Sequence, residues 1–261
     1  DGATKKLMNL CGNWKSVRKI IAVSGCVGDQ IVNEHAHEKV RVLYNPVDVE
    51  KYANGDAMKI IAELEAKLGR KLWRAKIVTQ IGAITRNKRQ DVLISVISNL
   101  KNLGEDIVGL IVGDTVTATD RIFRRELEQR IEDCGIQSQV LWMGFRSDIG
   151  NILAATDCVL VPSEEGLSLV AMEAMSAKRH VVTMNSSGAY ELLNHAGCGT
   201  FYEGNNESSV IEAVKRVLEI PNAEELERGY AFCMKQTSAN FKNKITYLFL
   251  NVQSSKGGLR V

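Results

Sequence analysis

The sequence carries little net charge. Its 33 Lys and Arg residues stand against 31 Asp and Glu, a formal +2. That near balance argues against a protein drawn to nucleic acid by its field. No run approaches the ~18 consecutive apolar residues of a membrane span. The six cysteines, Cys11, Cys26, Cys134, Cys158, Cys198 and Cys233, form no C-x-x-C pair. Several lie in apolar runs such as Asp157–Pro162, so they read as buried, reduced and structural, in a cytoplasmic setting. His35, His37, His180 and His195 form no H-x-x-x-H pattern with an acidic partner and no Cys/His cluster suited to zinc. No metal or other cofactor is therefore expected. A Walker loop, an opening G-x-G-x-x-G and a G-x-S-x-G elbow are missing, which argues against an ATPase, a dehydrogenase and a hydrolase. There is no internal repeat and no low-complexity block. Neither an initiator Met nor a basic-then-apolar leader opens the sequence, so Asp1 is expected to lie inside a longer protein.

What is present is ordinary for a soluble globular chain: 45% apolar and 25% charged residues over 261 positions, enough for one or two domains with a sizeable core. Strand-like apolar runs alternate with segments of helical period. Lys19–Ser24 and Val40–Tyr44 read as strands around a helix near 27–36. Asn45-Pro46-Val47-Asp48 must break the second strand. A helix over 57–68 places Ile60, Ile61, Leu64 and Leu68 on one face. From Ala75 the alternation is clearer. Strands are expected at Lys76–Gly82, Val108–Gly113, Val140–Met143, Cys158–Val161, His180–Thr183 and Gly199–Tyr202. Between them fall helices marked by Leu93, Val96, Ile97 and Leu100, by Phe123, Leu127, Ile131 and Cys134, by 148–155, and by 169–177. Val210, Ile211, Val214, Val217 and Leu218 mark another, and helices near 223–235 and 239–251 follow, with Gln253–Val261 as a frayed tail. Continuously apolar strands joined by helices imply parallel β-α-β units covered on both faces. In such a doubly wound sheet ligands bind beyond the carboxyl ends of the strands, here at Gly82–Lys88, Gly113–Asp114, Gly144–Arg146 and Pro162–Leu167.

The strongest local signal is Pro162-Ser-Glu-Glu-Gly-Leu-Ser-Leu-Val-Ala-Met-Glu-Ala-Met175. A strand stops at Pro162, a polar loop follows, and a helix begins around Leu167–Leu169. Glu165 lies in the loop, and Glu173 lies inside the helix about 7.5 Å along its axis from Ser168. The two carboxylates can grip different parts of one elongated polyhydroxylated ligand. Between them the free amides of the helix start can receive phosphate oxygens, with Gly166 letting the backbone approach closely. Alone, the pair is not specific and reads first as a loop-surface Glu165 and a solvated Glu173. Gly82–Asp91 adds Arg86, Lys88 and Arg89 at the same sheet edge, where a diphosphate would need positive charge.

These residues resemble the C-terminal, donor-binding half of retaining GT-B glycosyltransferases, the glycosyl transferases group 1 or family 4. Pro162, Ser163, Glu165, Gly166, Leu167, Ser168, Leu169, Glu173, Ala174 and Met175 match that family's P-S-x-x-E-G-F-G-L-x-x-x-E-A-M. Gly82, Ala83, Ile84, Lys88 and Arg89 match its G-R-L-x-x-x-K-G loop. Val140–Gly144, Ala155–Asp157, Ser187-Gly188 with Glu191, and Val42–Asp48 match further segments in the same order, over about 20–250. The resemblance implies a Rossmann-like α/β fold, a parallel sheet with helices on both faces, as the C-terminal domain of a GT-B fold plus a remnant of the N-terminal domain. On this reading 1–45 ends a truncated acceptor domain, 46–74 is linker and helix, 75–236 binds the donor, and 237–261 is a C-terminal helix and tail.

It further implies metal-independent, retaining transfer of a sugar from a nucleotide-diphosphate sugar to an unidentified glycan, lipid or small-molecule acceptor. Glu173 would hold the ribose hydroxyls, Glu165 the transferred sugar, and Lys88 the departing diphosphate. The amides around Leu167–Leu169 would receive the distal phosphate, Arg86 would reach back to the diphosphate beside Gly82, and the base would lie near Gly144 and Arg146. Departures stand out. Ala83 replaces an Arg, Ser168 a Gly, and Lys178 and His180 replace a helix-ending Gly and a Pro. A nucleotide or nucleotide-sugar binding module without turnover is the alternative, and an epimerase or phosphorylase is disfavoured by the two glutamates. The rest of the acceptor half is expected from an absent N-terminal domain or a partner chain, which Phe241, Ile245, Leu248 and Phe249 on the last helix would meet. Lys5, Lys6, Lys15, Arg18 and Lys19, interleaved with Leu7, Leu10 and Trp14, read as a packed helix of that domain or as a peripheral membrane-surface helix.

Overall fold

The computed structural model describes residues 10, 14–31, 34–204 and 206–254. Lys5, Lys6, Leu7, Cys11 and the tail beyond Ser254 lie outside them. The chain forms two compact units: one is Asp48–Met234, and the other draws on 1–47 and 235–261.

In the second unit, β1 (Ile20–Ala22) pairs in parallel with β2 (Val40–Val42), Ile20 opposite Val40. A parallel pair needs a crossover. The single helix expected near 27–36 is instead two short ones, α1 (Gly25–Gly28) and α2 (Glu34–His37). Ser24 caps α1 by accepting from the Val27 amide, and the bonds from Gln30 N to Val27 O and from Ile31 N to Gly28 O turn the chain out of the helix.

The larger unit runs α3 (Val49–Ala53), α4 (Ala57–Leu68), β3 (Lys76–Ile81), a 3₁₀ turn at Arg86–Lys88, α5 (Gln90–Asn102), β4 (Ile107–Val112), α6 (Ala118–Asp133), β5 (Val140–Gly144) and α7 (Ile149–Ala154). It continues with β6 (Cys158–Val161), α8 (Leu169–Ser176), β7 (His180–Met184), α9 (Gly188–Ala196), β8 (Thr200–Tyr202), α10 (Glu207–Glu219) and α11 (Ala223–Met234). All pairings in its sheet are parallel, in the order β5-β4-β3-β6-β7-β8. This is the Rossmann-like sheet with helices on both faces.

Strand alternation sends one set of side chains to each face. Val78, Ile107, Ile111, Leu160 and Val182 pack into the cluster that holds Leu93, Ile97, Leu127 and Val214. Ile77, Val108, Leu110 and Met143 pack with Ile60 and Leu64 of α4 and Ile152 of α7. Side chains this completely buried contribute about 1.5–3 kcal/mol each from area removed from water. The helices start where their caps dictate. Asp56 accepts from Met58 N and Lys59 N at the start of α4, and Thr117 and Asp120 form a reciprocal capping box at α6. Cys158, Cys198 and Cys233 are buried, but Cys134 is exposed, since it caps the end of α6 instead of continuing its apolar face.

The last helix, α12 (Ser238–Ser254), belongs to the smaller unit. On it Phe241, Ile245 and Leu248 are half-buried, while Phe249 is exposed.

Strands β4 and β5 lie on one side of β3, and β6, β7 and β8 on the other. The order therefore reverses between β3 and β6, which opens a crevice at their carboxyl ends. At that edge Gly113 has φ +143°, and a Cβ there would fall 1.9 Å from the carbonyl oxygen of Gly82. Gly69, which ends α4 with φ +63°, has nothing within 4 Å of the same position. Gly69→Ala is expected to cost about 1–2 kcal/mol from left-handed strain alone. Gly113→Ala is expected to cost more than about 3 kcal/mol, because rigid backbone must also move. Urea denaturation of the two variants checks the difference.

Candidate functional site

The loop after β3 is folded back by two buried glutamines. Gln80, on the strand, donates to the Lys88 carbonyl at 2.5 Å, and Gln90, on α5, donates to the Ala83 carbonyl at 2.9 Å. Gly82 takes φ +148°, and the aliphatic stem of Lys88 lies in van der Waals range of the position a Cβ would take there. The loop after β6 is equally constrained. Ser163 is buried and donates to Glu165 Oε1 at 2.5 Å. The carbonyl of Glu165 accepts from Gly188 N at 2.7 Å, and a Cβ on Gly188 would fall 2.4 Å from the carbonyl oxygens of both Glu165 and Gly166. Only a residue without a side chain lets the start of α9 press this closely on the loop.

These two loops meet across the strand-order reversal. Lys88 Nζ pairs with Glu165 Oε1. Their side chains retain 26% and 19% of their exposure, so the pair is partly desolvated while still open to a ligand. Oε1 takes both bonds, and Oε2 has no protein partner among the described residues.

Beside this pair Ser168 caps α8, its buried hydroxyl accepting from Ala171 N at 3.3 Å. The amides of Leu169 and Val170 precede the first intrahelical bond, from Met172 N to Ser168 O. Gly166 and Leu167 are half-buried in the approach to the helix, and Leu169 is exposed at the rim. Glu173 follows one turn further on. Its Oε1 accepts from the hydroxyl of Tyr52 on α3 at 2.8 Å. Burial raises the Glu173 pKa above the ordinary glutamate value, opposed by the Tyr52 bond and by the charge of Lys51. The Tyr52 phenol is itself raised, first by burial and then by its bond to Glu173.

Two cations named from the sequence are committed elsewhere. Arg86 Nη2 contacts both oxygens of Glu126 on α6, at 2.6 and 2.7 Å, and its guanidinium lies 5.0 Å from the centre of the Phe123 ring. Arg146 bonds Asp148 through Nε and Nη2, at 2.8 and 2.9 Å, and Glu63 of α4 through Nη1. Gly144, at φ +65°, accepts from Gly113 N at 2.8 Å, and the space a side chain would fill there is open. A cleft of about 370 Å³ lined by Arg86, Asn87, Arg89, Pro162, Glu164 and Met184 opens next to the loops. A cavity of about 220 Å³ lies among α5, α6 and α10, and Arg89 lines both it and the cleft. No group of three or more His, Cys, Asp or Glu side chains that could hold a metal ion is gathered among the described residues.

Tyr52 and Gln80 were not singled out from the sequence. Gln80 could have been noticed as the polar residue inside an apolar strand. Tyr52 sits just past the Pro46 break, in a helix too short to show a period.

The family model for glycosyl transferases group 1 matches residues 65–231. The chain is 30% identical over 188 residues to the UDP-Gal:alpha-D-GlcNAc-diphosphoundecaprenol alpha-1,3-galactosyltransferase of Escherichia coli, covering 69% of this chain and 45% of that protein. It is 28% identical over 199 residues to the alpha-D-kanosaminyltransferase of Streptomyces kanamyceticus, covering 75% and 48%. The chain thus spans about half the length of these curated relatives. In fold it is similar to Anabaena HepE in complex with UDP-glucose, with a TM-score of 0.80 at 22% identity over 95% of this chain and 68% of that one.

The Arg146 cluster makes a stability prediction. Its hydrogen bonds with Arg146 hold the Asp148 carboxyl at about 2, below the ordinary 3.8. The folded state therefore binds this proton less tightly than the unfolded chain does. The resulting stabilisation is complete above about pH 4 and fades as pH falls toward about 2. Asp148→Asn is expected to lose on the order of 1–2 kcal/mol at pH 7, and its deficit relative to wild type should close over that acid window in a pH series of chemical melts.

Proposed function

The chain belongs to the glycosyl transferases group 1 family, and from that premise we propose that it is the donor-binding half of a GT-B enzyme that transfers a sugar from a nucleotide-diphosphate sugar. The observation that carries this reading is the meeting of Lys88 and Glu165 at the strand-order reversal, beside the start of α8. Lys88 turns from Glu165 to the donor diphosphate, whose distal phosphate is received by the amides at the start of α8. Glu165 then faces hydroxyls of the transferred sugar, and Glu173 faces the ribose. The base lies toward Gly144, and Arg146 supports that wall through Glu63 and Asp148.

In the reaction the bond from the anomeric carbon to the distal phosphate oxygen breaks, and the diphosphate leaves with the electron pair. The acceptor hydroxyl forms the new bond on the same face, and its proton passes to the departing phosphate. Charge grows on the diphosphate as this happens, so a fixed cation and helix-start dipoles lower the barrier without a protein-bound metal. The acceptor half comes from residues outside this chain. Relatives named for diphosphoundecaprenol-linked sugars make a lipid-linked saccharide the first acceptor to test, with the enzyme on the cytoplasmic side of the membrane surface.

Ala83 and the engagement of Arg86 with Glu126 favour a second reading, a nucleotide-sugar binder without turnover. Release of nucleoside diphosphate by a chain that carries the acceptor half separates the two.

UDP, GDP or ADP at about a hundred times its Kd should raise the melting temperature by about 5–10 °C. Lys88→Ala should reduce the shift given by the diphosphate more than that given by the nucleoside, and Glu173→Ala should reduce both. If none of the three nucleotides shifts the melting curve at millimolar concentration, the proposed site is wrong.

A further inference from the structure

The hydroxyl of Tyr52 contacts the one carboxylate of the site that burial disfavours as a charge. Tyr52 is 8% exposed. Its helix α3 is capped by Asp48, which accepts from Lys51 N at 3.2 Å, and is pressed by α7 so closely that a Cβ on Gly150 would fall 2.5 Å from the Lys51 carbonyl oxygen. The phenol therefore stands on a seated element, although the helix has only one turn.

We infer that Tyr52 is a positioning residue for donor recognition: by donating to Glu173 Oε1 it fixes the plane and the charge of the carboxylate, which then accepts a vicinal pair of ribose hydroxyls. This rests on the proposed function, in which Glu173 meets the ribose. The terminal torsion of a glutamate is broad, so an untethered carboxylate would have to be ordered by the ligand itself. A carboxylate has about four lone-pair sites. Tyr52 takes one, and Oε2 has no protein partner among the described residues. A diol that bridges the two oxygens needs their plane set in advance, because each hydroxyl must point along a lone pair.

Charge follows the same logic. The groups facing Glu173 are Tyr52 and Lys51 of α3, and Asp48 acts in turn on Tyr52. The elements packed against the rest of α8 carry Cys158 of β6, His180 of β7, and Glu224, Glu225, Glu227, Arg228, Tyr230 and Cys233 of α11, and none of these shifts the Glu173 carboxyl. Without the phenol hydroxyl, burial would push the Glu173 pKa higher. The carboxyl would then take up its proton at a higher pH, and a protonated carboxyl has lost one acceptor position.

The test titrates UDP, GDP and ADP, each beside its 2′-deoxy counterpart, into wild type, Tyr52→Phe, Glu173→Gln and the double variant, over a pH series. Wild type is expected to favour the ribonucleotide by about tenfold or more, as for a hydrogen bond to a charged group. Tyr52→Phe should lower that ratio several-fold and move the acid limb of ribonucleotide binding to higher pH. In the Glu173→Gln background, Tyr52→Phe should change the ratio by less than about twofold, because the two residues act through one contact. The melting temperature without nucleotide reports whether the ring is still packed, and Tyr52→Met supplies a second variant without the hydroxyl. A wild type that discriminates, with hydroxyl-free variants that keep its ratio and its acid limb, overturns the role of Tyr52 alone. A wild type that binds ribo and deoxy forms equally, or binds neither, overturns the ribose assignment of Glu173 and this inference with it.

Discussion

Lys88 and Glu165 form an ion pair across the place where the order of the larger sheet reverses, and the rest of the site is arranged around it. A partly buried ion pair gives little net stability, because desolvation offsets attraction. Its value lies in what happens when a phosphate arrives. Under the proposed function, Lys88 exchanges one anionic partner for another and never stands uncompensated in the crevice. Gln80 holds the Lys88 backbone while this occurs, so the exchange needs only a side-chain rotation. Ser163 keeps Glu165 in place once the cation has turned away.

The glutamates share a design. Each has one oxygen held by the protein and the other without a protein partner among the described residues. The cation at one carboxylate and the phenol at the other differ in consequence. Under the proposed function, Glu165 is paired with a charge that the donor draws off, whereas Glu173 is tied to a neutral group that stays.

The sheet was legible because its signal is redundant. Leu93, Val96, Ile97 and Leu100 report a helix by period, and Cys158–Val161 reports a buried strand by composition, each confirmed by packing. The meeting of Lys88 with Glu165 followed from strand-end logic, since both lie just past carboxyl ends that the topology makes neighbours. What escaped was set by tertiary partners. Arg86 and Arg146 look from the sequence like free cations at a strand end, and only the fold reveals Glu126, Glu63 and Asp148 waiting for them. Tyr52 escaped because one helical turn carries no period. The departures from the family pattern were informative. Lys178 stands where that pattern has a helix-ending glycine, and it and Arg89 are the non-glycine residues with positive φ among those described, at 52° and 56°. Lys178 pairs with Glu227 at 2.6 Å and lies 4.7 Å from the Tyr230 ring centre.

The central strands β3 and β6 are neighbours in space, yet Lys88 and Glu165 are 77 positions apart in the chain. Closing so long a loop costs entropy that is repaid only when β6 docks. As the polypeptide emerges from a ribosome, the half that carries the lysine must therefore wait without its acidic counterpart. Under the proposed function, ligand capture by this crevice is in that sense a late event of biogenesis, available only to molecules whose central strands have already joined.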